Sequence, residues 1–168
     1  YLANARRLNL TGMRGAYTQE TYYDAKRRIA SATVRFRLPN NTWWERIIDQ
    51  PGRFDRKAMF ERGGEWGGHV WAAPDQGLEV QARAKRIWIC EGVFDAWAWR
   101  DSGEVAVSAM SVNNWPEKWL TELRRTLAAL DLKAAPELIF AFDIGRAGTE
   151  YTRKFVAQAI EEGWKATA

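Results

Sequence analysis

One cysteine, one histidine and five prolines in 168 residues remove several common architectures at the outset. A single thiol excludes an internal disulfide, and one Cys with one His cannot build a zinc finger. No apolar run approaches the ~18 residues of a membrane span. The opening Tyr1-Leu2-Ala3-Asn4-Ala5-Arg6-Arg7 also lacks the apolar core of a signal peptide. A cytoplasmic protein with no membrane partner is the expectation. Internal repeats and low-complexity tracts are missing as well. Aromatic residues are plentiful: ten tryptophans within a hydrophobic content of 46% supply a packed interior and argue against disorder. The length suits one domain, or two small lobes sharing a core.

Charge is divided unevenly. Residues 1–85 hold 15 Lys and Arg against 9 Asp and Glu, a surplus of +6, while residues 86–168 hold 10 against 12 and stand at −2. A basic front half joined to a slightly acidic back half suits a protein that tracks phosphates with one lobe and holds a cation with the other.

The back half is organised around Arg86 to Trp99. The apolar run Ile87-Trp88-Ile89-Cys90 stops at Glu91-Gly92, and Asp95 follows in a helix-compatible segment. This reads as a buried strand that delivers a carboxylate to its C-terminal end, then a glycine turn and a helix. Ligands of open α/β sheets sit just beyond such strand ends. Fifty residues on, Leu138–Phe142 ends on Asp143 and runs through Gly145-Arg146-Ala147-Gly148 into a second helix. Two strands that bring an acid to the same edge form a candidate divalent-metal site.

In chain order, Tyr1, Leu2, Ala5 and Leu8 fall at helical spacing and predict a mostly helical stretch over 1–31, interrupted at Thr11-Gly12. Its second part runs from Thr18 to Ile29, with Lys26-Arg27-Arg28 near the end, where cations suit a helix C-terminus. Residues 32–38 alternate with period two and predict a strand with Arg35 and Arg37 on one face. Pro39-Asn40-Asn41 turns the chain into a partner strand over 42–48. Residues 49–74 read as loop, and 75–85 as a polar connector at the lobe boundary. The glycine pairs Gly63-Gly64 and Gly67-Gly68 lack the Gly-Lys-Ser/Thr ending of a phosphate loop. Beyond it, strands near 87–90, 105–109 and 138–142 alternate with helices over 93–100, 115–130 and 147–162, and a last strand begins near Trp164. That alternation means an α/β fold with a mainly parallel sheet and helices on both faces.

Glu91, at the end of a buried strand, stays charged only if a cation or hydrogen bonds compensate. It reads as a metal ligand, a proton acceptor or a cap on the following helix, and Asp143 in the equivalent place on another strand favours metal. Asp95 is a third acid or a residue favoured by the helix dipole. His69 reads as structural, and Cys90 and most tryptophans as core. Trp43 and Trp44 alternate across a strand, so one is placed to stack on a base.

Glu91-Gly92-Val93-Phe94-Asp95-Ala96, a middle strand, and Asp143-Ile144-Gly145-Arg146-Ala147-Gly148 together resemble the Toprim domain of bacterial-type primases, topoisomerases and some nucleases. In that family a Glu-Gly-x-x-Asp segment and an Asp-x-Asp-x-Ala-Gly segment gather Mg²⁺ for phosphoryl transfer. The resemblance implies a Rossmann-like Toprim domain over 86–168, with Glu91 and Asp143 catalytic and Glu91, Asp143 and Asp95 as ligands of Mg²⁺ or Mn²⁺. The front half, 1–85, is similar to the small basic α+β subdomain of helices plus a hairpin that precedes Toprim in bacterial and phage primases. Carried over by position, Arg35, Arg37, Arg46 and Lys57 grip template or nucleotide phosphates there, and Arg146 contacts the triphosphate or pairs with an acid. The implied protein is a primase core from a bacterium, phage or mobile element that makes RNA primers. Its implied partners are a single-stranded DNA template, nucleoside triphosphates and a replicative helicase. Two features depart from the pattern. Gly145 stands where the second aspartate of Asp-x-Asp belongs, and the chain stops before the segment in which such primases carry further acids. A two-metal site with ions ~4 Å apart is then harder to build. A catalytically degenerate nucleic-acid-binding module and a Toprim nuclease are therefore the alternatives.

Overall fold

The alternating run after Ile29 forms the strand its pattern predicts, slightly extended. In the computed structural model, which describes residues 1–168, β2 (Ile29–Arg37) pairs antiparallel with β3 (Trp43–Ile47), placing Arg35 opposite Glu45 and Phe36 opposite Trp44. Asn40 fixes the turn between them, its side-chain oxygen accepting from the Thr42 N–H and hydroxyl. β1 (Tyr17–Asp24) pairs with β2 along its full length, and β4 (Ala58–Phe60) adds to β3, giving the order β1-β2-β3-β4.

The helix expected over 1–31 does not form. Residues 1–16 are turns and bends, and 17–24 are strand. Tyr17, Thr18, Thr21, Tyr22 and Tyr23 are residues that pack well on a pleated surface, and β2 offers the partner that an isolated helix would lack. The cations at 26–28 occupy the β1–β2 turn instead. Arg28 takes a left-handed φ of 54°, and Asp24 accepts from the Arg27 N–H and pairs with its guanidinium at 2.9 Å.

The second sheet contains β5 (Trp71–Ala72), β6 (Arg86–Cys90), β7 (Ala106–Ser108), β8 (Glu137–Ala141) and β9 (Ala166–Thr167) in the order β5-β7-β6-β8-β9. All neighbours run parallel except β5 with β7. The helices are α1 (Leu78–Arg83), α2 (Val93–Asp101), α3 (Glu117–Ala129) and α4 (Arg146–Glu161). Side chains leave alternate faces of β6. Ile87 and Ile89 join a core with Trp119, Leu123 and Phe155 from α3 and α4, while Cys90 joins one with Val93 and Trp97 from α2. The α/β class with helices on both faces holds.

Residues 75–85 are more than a linker. Gln76 caps the sheet edge, donating to the Glu104 carbonyl at 2.6 Å and accepting from the Ala106 N–H at 3.0 Å. Gln81 of α1 accepts from Trp119 Nε1 at 2.7 Å. A boundary drawn between residues 85 and 86 therefore lies behind β5 and α1, both packed with the second sheet. The front sheet covers the α2 face, and one core spans the two layers. Phe36, fully buried, meets Trp71, Phe94 and Trp97 edge-on at 5.5, 5.8 and 6.4 Å.

Candidate active site

Register alone brings the two acids of the sequence reading to one edge. Cys90 of β6 lies opposite Ala141 of β8, so the chain leaves both parallel strands side by side, with Glu91 one residue and Asp143 two residues beyond the pairing. Gly92 is the N-cap of α2. The Asp95 carboxylate accepts from the Gly92 backbone N–H, the returning half of a capping box, and lies where a Cβ on residue 92 would be. After β8, Gly148 lets the first turn of α4 rest directly on the Asp143 backbone, because a Cβ there would overlap the Asp143 carbonyl oxygen. Of the three glycines in the two motifs, Gly148 is the one that close approach to backbone requires.

Glu91, Asp95 and Asp143 line one cleft of about 320 Å³ between the lobes. Burial pushes the Glu91 carboxyl above the usual carboxylate range, and the neighbouring Asp143 and Asp95 add to the shift. Asp95 is raised for the same reasons, burial first and Asp143 second, with Arg6 and the backbone hydrogen bonds pulling the other way. None of the three acids is ion-paired. Like charges gathered without a direct ion pair form an electrostatic deficit that a bound cation would relieve.

The donor set consists of hard carboxylate oxygens. Cys90 is fully buried behind Glu91, its thiol pushed up to about 12 by burial and the nearby acids. His69 lies elsewhere. No three acidic, Cys or His side chains converge closely enough to enclose an ion. This arrangement fits Mg²⁺ or Mn²⁺ held by one or two carboxylates with phosphate and water oxygens, and does not fit an all-protein cage.

The basic residues of the sequence reading disperse. Arg46 lines the cleft, and its Nε is buried without a hydrogen-bond partner. Arg35 is on the other face of the sheet, paired with the buried Glu45 at 3.1 Å and lying 4.2 Å over the Trp43 ring. Arg37 lines a different groove, beside α1 and α3. Lys57 is exposed just before β4 and outside the cleft, as is Arg146 at the start of α4. Trp44 is core, and Trp43 is half-buried beneath Arg35.

One cleft residue escaped the sequence reading. Arg6 donates through Nε to the Tyr1 hydroxyl at 2.9 Å and holds its guanidinium 4.8 Å over the Phe94 ring, facing Asp95. The basic Arg6-Arg7 pair was visible, but its ring partner is 88 residues away and no spacing rule reaches it.

No protein-family model and no curated protein matches this chain. Solved structures do. A DNA primase domain from Pseudomonas aeruginosa matches with a TM-score of 0.52 and 15% identity, over 89% of this chain and 45% of that one. The primase fragment of the bacteriophage T7 primase-helicase protein matches with a TM-score of 0.51 and 16% identity, over 91% of this chain and 58% of that one. Both likenesses are of fold: at 15–16% identity the chain shares the α/β arrangement of those two structures. The chain spans about half the length of the primase structures it matches.

Proposed function

We propose that this chain is the Toprim-bearing core of a primase-like nucleotidyltransferase, acting on single-stranded DNA and nucleoside triphosphates. The observation that carries the reading is a cleft of about 320 Å³ in which Glu91, Asp95 and Asp143 face Arg6 and Arg46 without forming an ion pair. Opposite charges that share a cleft yet stay apart leave room for a ligand that satisfies both sides. A polyphosphate with a divalent cation has that chemistry.

In this reading Glu91 and Asp143 would hold Mg²⁺ or Mn²⁺, which would supply positive charge to offset that of a triphosphate. Arg46 and Arg6, which line the same cleft, take phosphate oxygens. Asp95 keeps the start of α2, and so Glu91, in place. The reaction joins a 3′ oxygen to the α-phosphorus, and pyrophosphate leaves with the broken bond. Template-dependent dinucleotide synthesis with Mg²⁺ or Mn²⁺ is the test. Glu91→Gln is expected to lower the rate at least a hundredfold and to weaken Mn²⁺ binding measured by electron paramagnetic resonance. Equal rates in the parent and the variant would overturn the proposal.

A second reading has an observation of its own. Gly145 supplies no carboxylate, and no third acid closes on the ion site. A chain that binds single-stranded DNA but turns over only after Gly145→Asp would be a binding module descended from a catalyst.

A further inference from the structure

A groove larger than the acid cleft is separate from it and shares no lining residue with it. It encloses about 840 Å³ where the β2–β3 turn of the front lobe meets α1 and the start of α3. That volume falls within the ~300–1,000 Å³ typical of small-molecule sites. Its floor is drawn from both cores: Leu38 belongs to the inter-lobe core, while Val70 and Trp119 belong to the core beneath α3. Leu78 adds an apolar wall.

The polar rim carries two charges without an ion pair, Arg37 on the front-lobe side and Glu117 on α3. Arg125 is ion-paired with Glu122 at 2.5 Å, and Lys118 lies 3.9 Å from Glu65. Glu117 folds onto Gly68, its carboxyl carbon 2.9 Å from where a Cβ there would be. His69 is kept neutral at physiological pH, burial lowering its pKa and Lys118 adding to the effect. The Arg37 side chain makes no ion pair and no hydrogen bond, and it is exposed on the front-lobe side of the groove. A polyphosphate would meet Glu117 and Glu122 as well as Arg37, so more than one negative charge is disfavoured. A flat apolar body with a single anionic group satisfies the floor and the guanidinium together.

We propose that this groove is a second binding site, which takes a small aromatic monoanion with its ring system on Leu38, Val70 and Leu78 and its acid group on Arg37. Because the walls come from both lobes, occupancy ties the β2–β3 turn to the second sheet. The inference is independent of the reading of the acid cleft.

Fluorescence titration with anilinonaphthalene sulfonate, an aromatic monoanion that brightens on leaving water, tests it on the intact chain. The parent is expected to bind one equivalent, displaced by naphthoate. Arg37→Glu should weaken binding at least tenfold, Arg37→Lys should restore most of it, and Leu78→Trp should fill the groove and abolish the signal. Glu91→Gln should leave binding unchanged. Equal affinity in the parent and Arg37→Glu would overturn the proposal, as would loss of binding in Glu91→Gln, which would place the dye in the acid cleft. Arg37 is exposed, so its variants decide the question even if Leu78→Trp fails to fold.

Discussion

Gly145 and Gly148 stand three residues apart at the start of α4 and tolerate opposite changes. A methyl group on residue 148 would overlap the Asp143 carbonyl oxygen, and that neighbour is backbone that cannot swing away. Gly148→Ala is therefore expected to cost about 1–3 kcal/mol, the usual penalty of overpacking, seen as a lower Tm. It should also weaken Mn²⁺ binding, because relief comes from moving Asp143. Residue 145 is extended, with φ −172°, and has nothing within 4 Å of its Cβ position. Any residue adopts that backbone, and aspartate is a better N-cap than glycine by only a few tenths of a kcal/mol. Gly145→Asp should thus leave Tm unchanged or slightly higher while tightening Mn²⁺ binding. A Tm drop in Gly145→Asp as large as that of Gly148→Ala would contradict this account of the loop.

Elements were legible where the local pattern and the tertiary demand agreed. The β6–α2 and β8–α4 units could be read directly, since a short apolar run, an acid and a glycine each have one comfortable arrangement beside a parallel neighbour. β1 could not. Its pattern fits either state, and pairing with β2 decided the matter. The start of α2 gives a test at this scale. The Asp95 carboxyl caps Gly92, yet burial and Asp143 penalise its charge. A carboxyl raised on folding is stabilised as the neutral acid, so its ionised form works against the fold as pH rises above the ordinary carboxylate range. Asp95→Asn keeps an acceptor and sheds the charge, and its Tm at pH 7 should equal or exceed that of the parent. Asp95→Ala leaves the Gly92 N–H uncapped and should fall below Asp95→Asn by about 1 kcal/mol. Identical Tm values for the two variants would remove the capping role.

At the scale of the molecule, the two sheets are one folding unit because one aromatic core joins them. Phe36 comes from the front sheet, Trp71 from β5, and Phe94 and Trp97 from α2. Trp97 also donates its indole N–H to the Asn9 carbonyl at 3.0 Å, tying down the N-terminal turns. Phe36→Ala is expected to cost about 3–5 kcal/mol, as for other buried phenylalanines. The loss should appear in a single unfolding transition with coincident circular dichroism and tryptophan fluorescence. Two separated transitions in the parent protein would show instead that the lobes fold independently. The cleft belongs to this scale too, because its acids come from one lobe and its arginines from the other.

The amino-acid order by itself determined the α/β alternation of the back half, the β2–β3 hairpin and the pair of acids at one sheet edge. Each of these depends on residues within a few positions of one another, or on a strand order that parallel pairing leaves little freedom to change. Tertiary structure alone decided which cations share the cleft. It placed Arg6 and Arg46 there, spent Arg35 on Glu45 and sent Arg37 to a second groove. A strand face shows which side an arginine leaves from, but only the packing of one sheet against another fixes what that arginine meets.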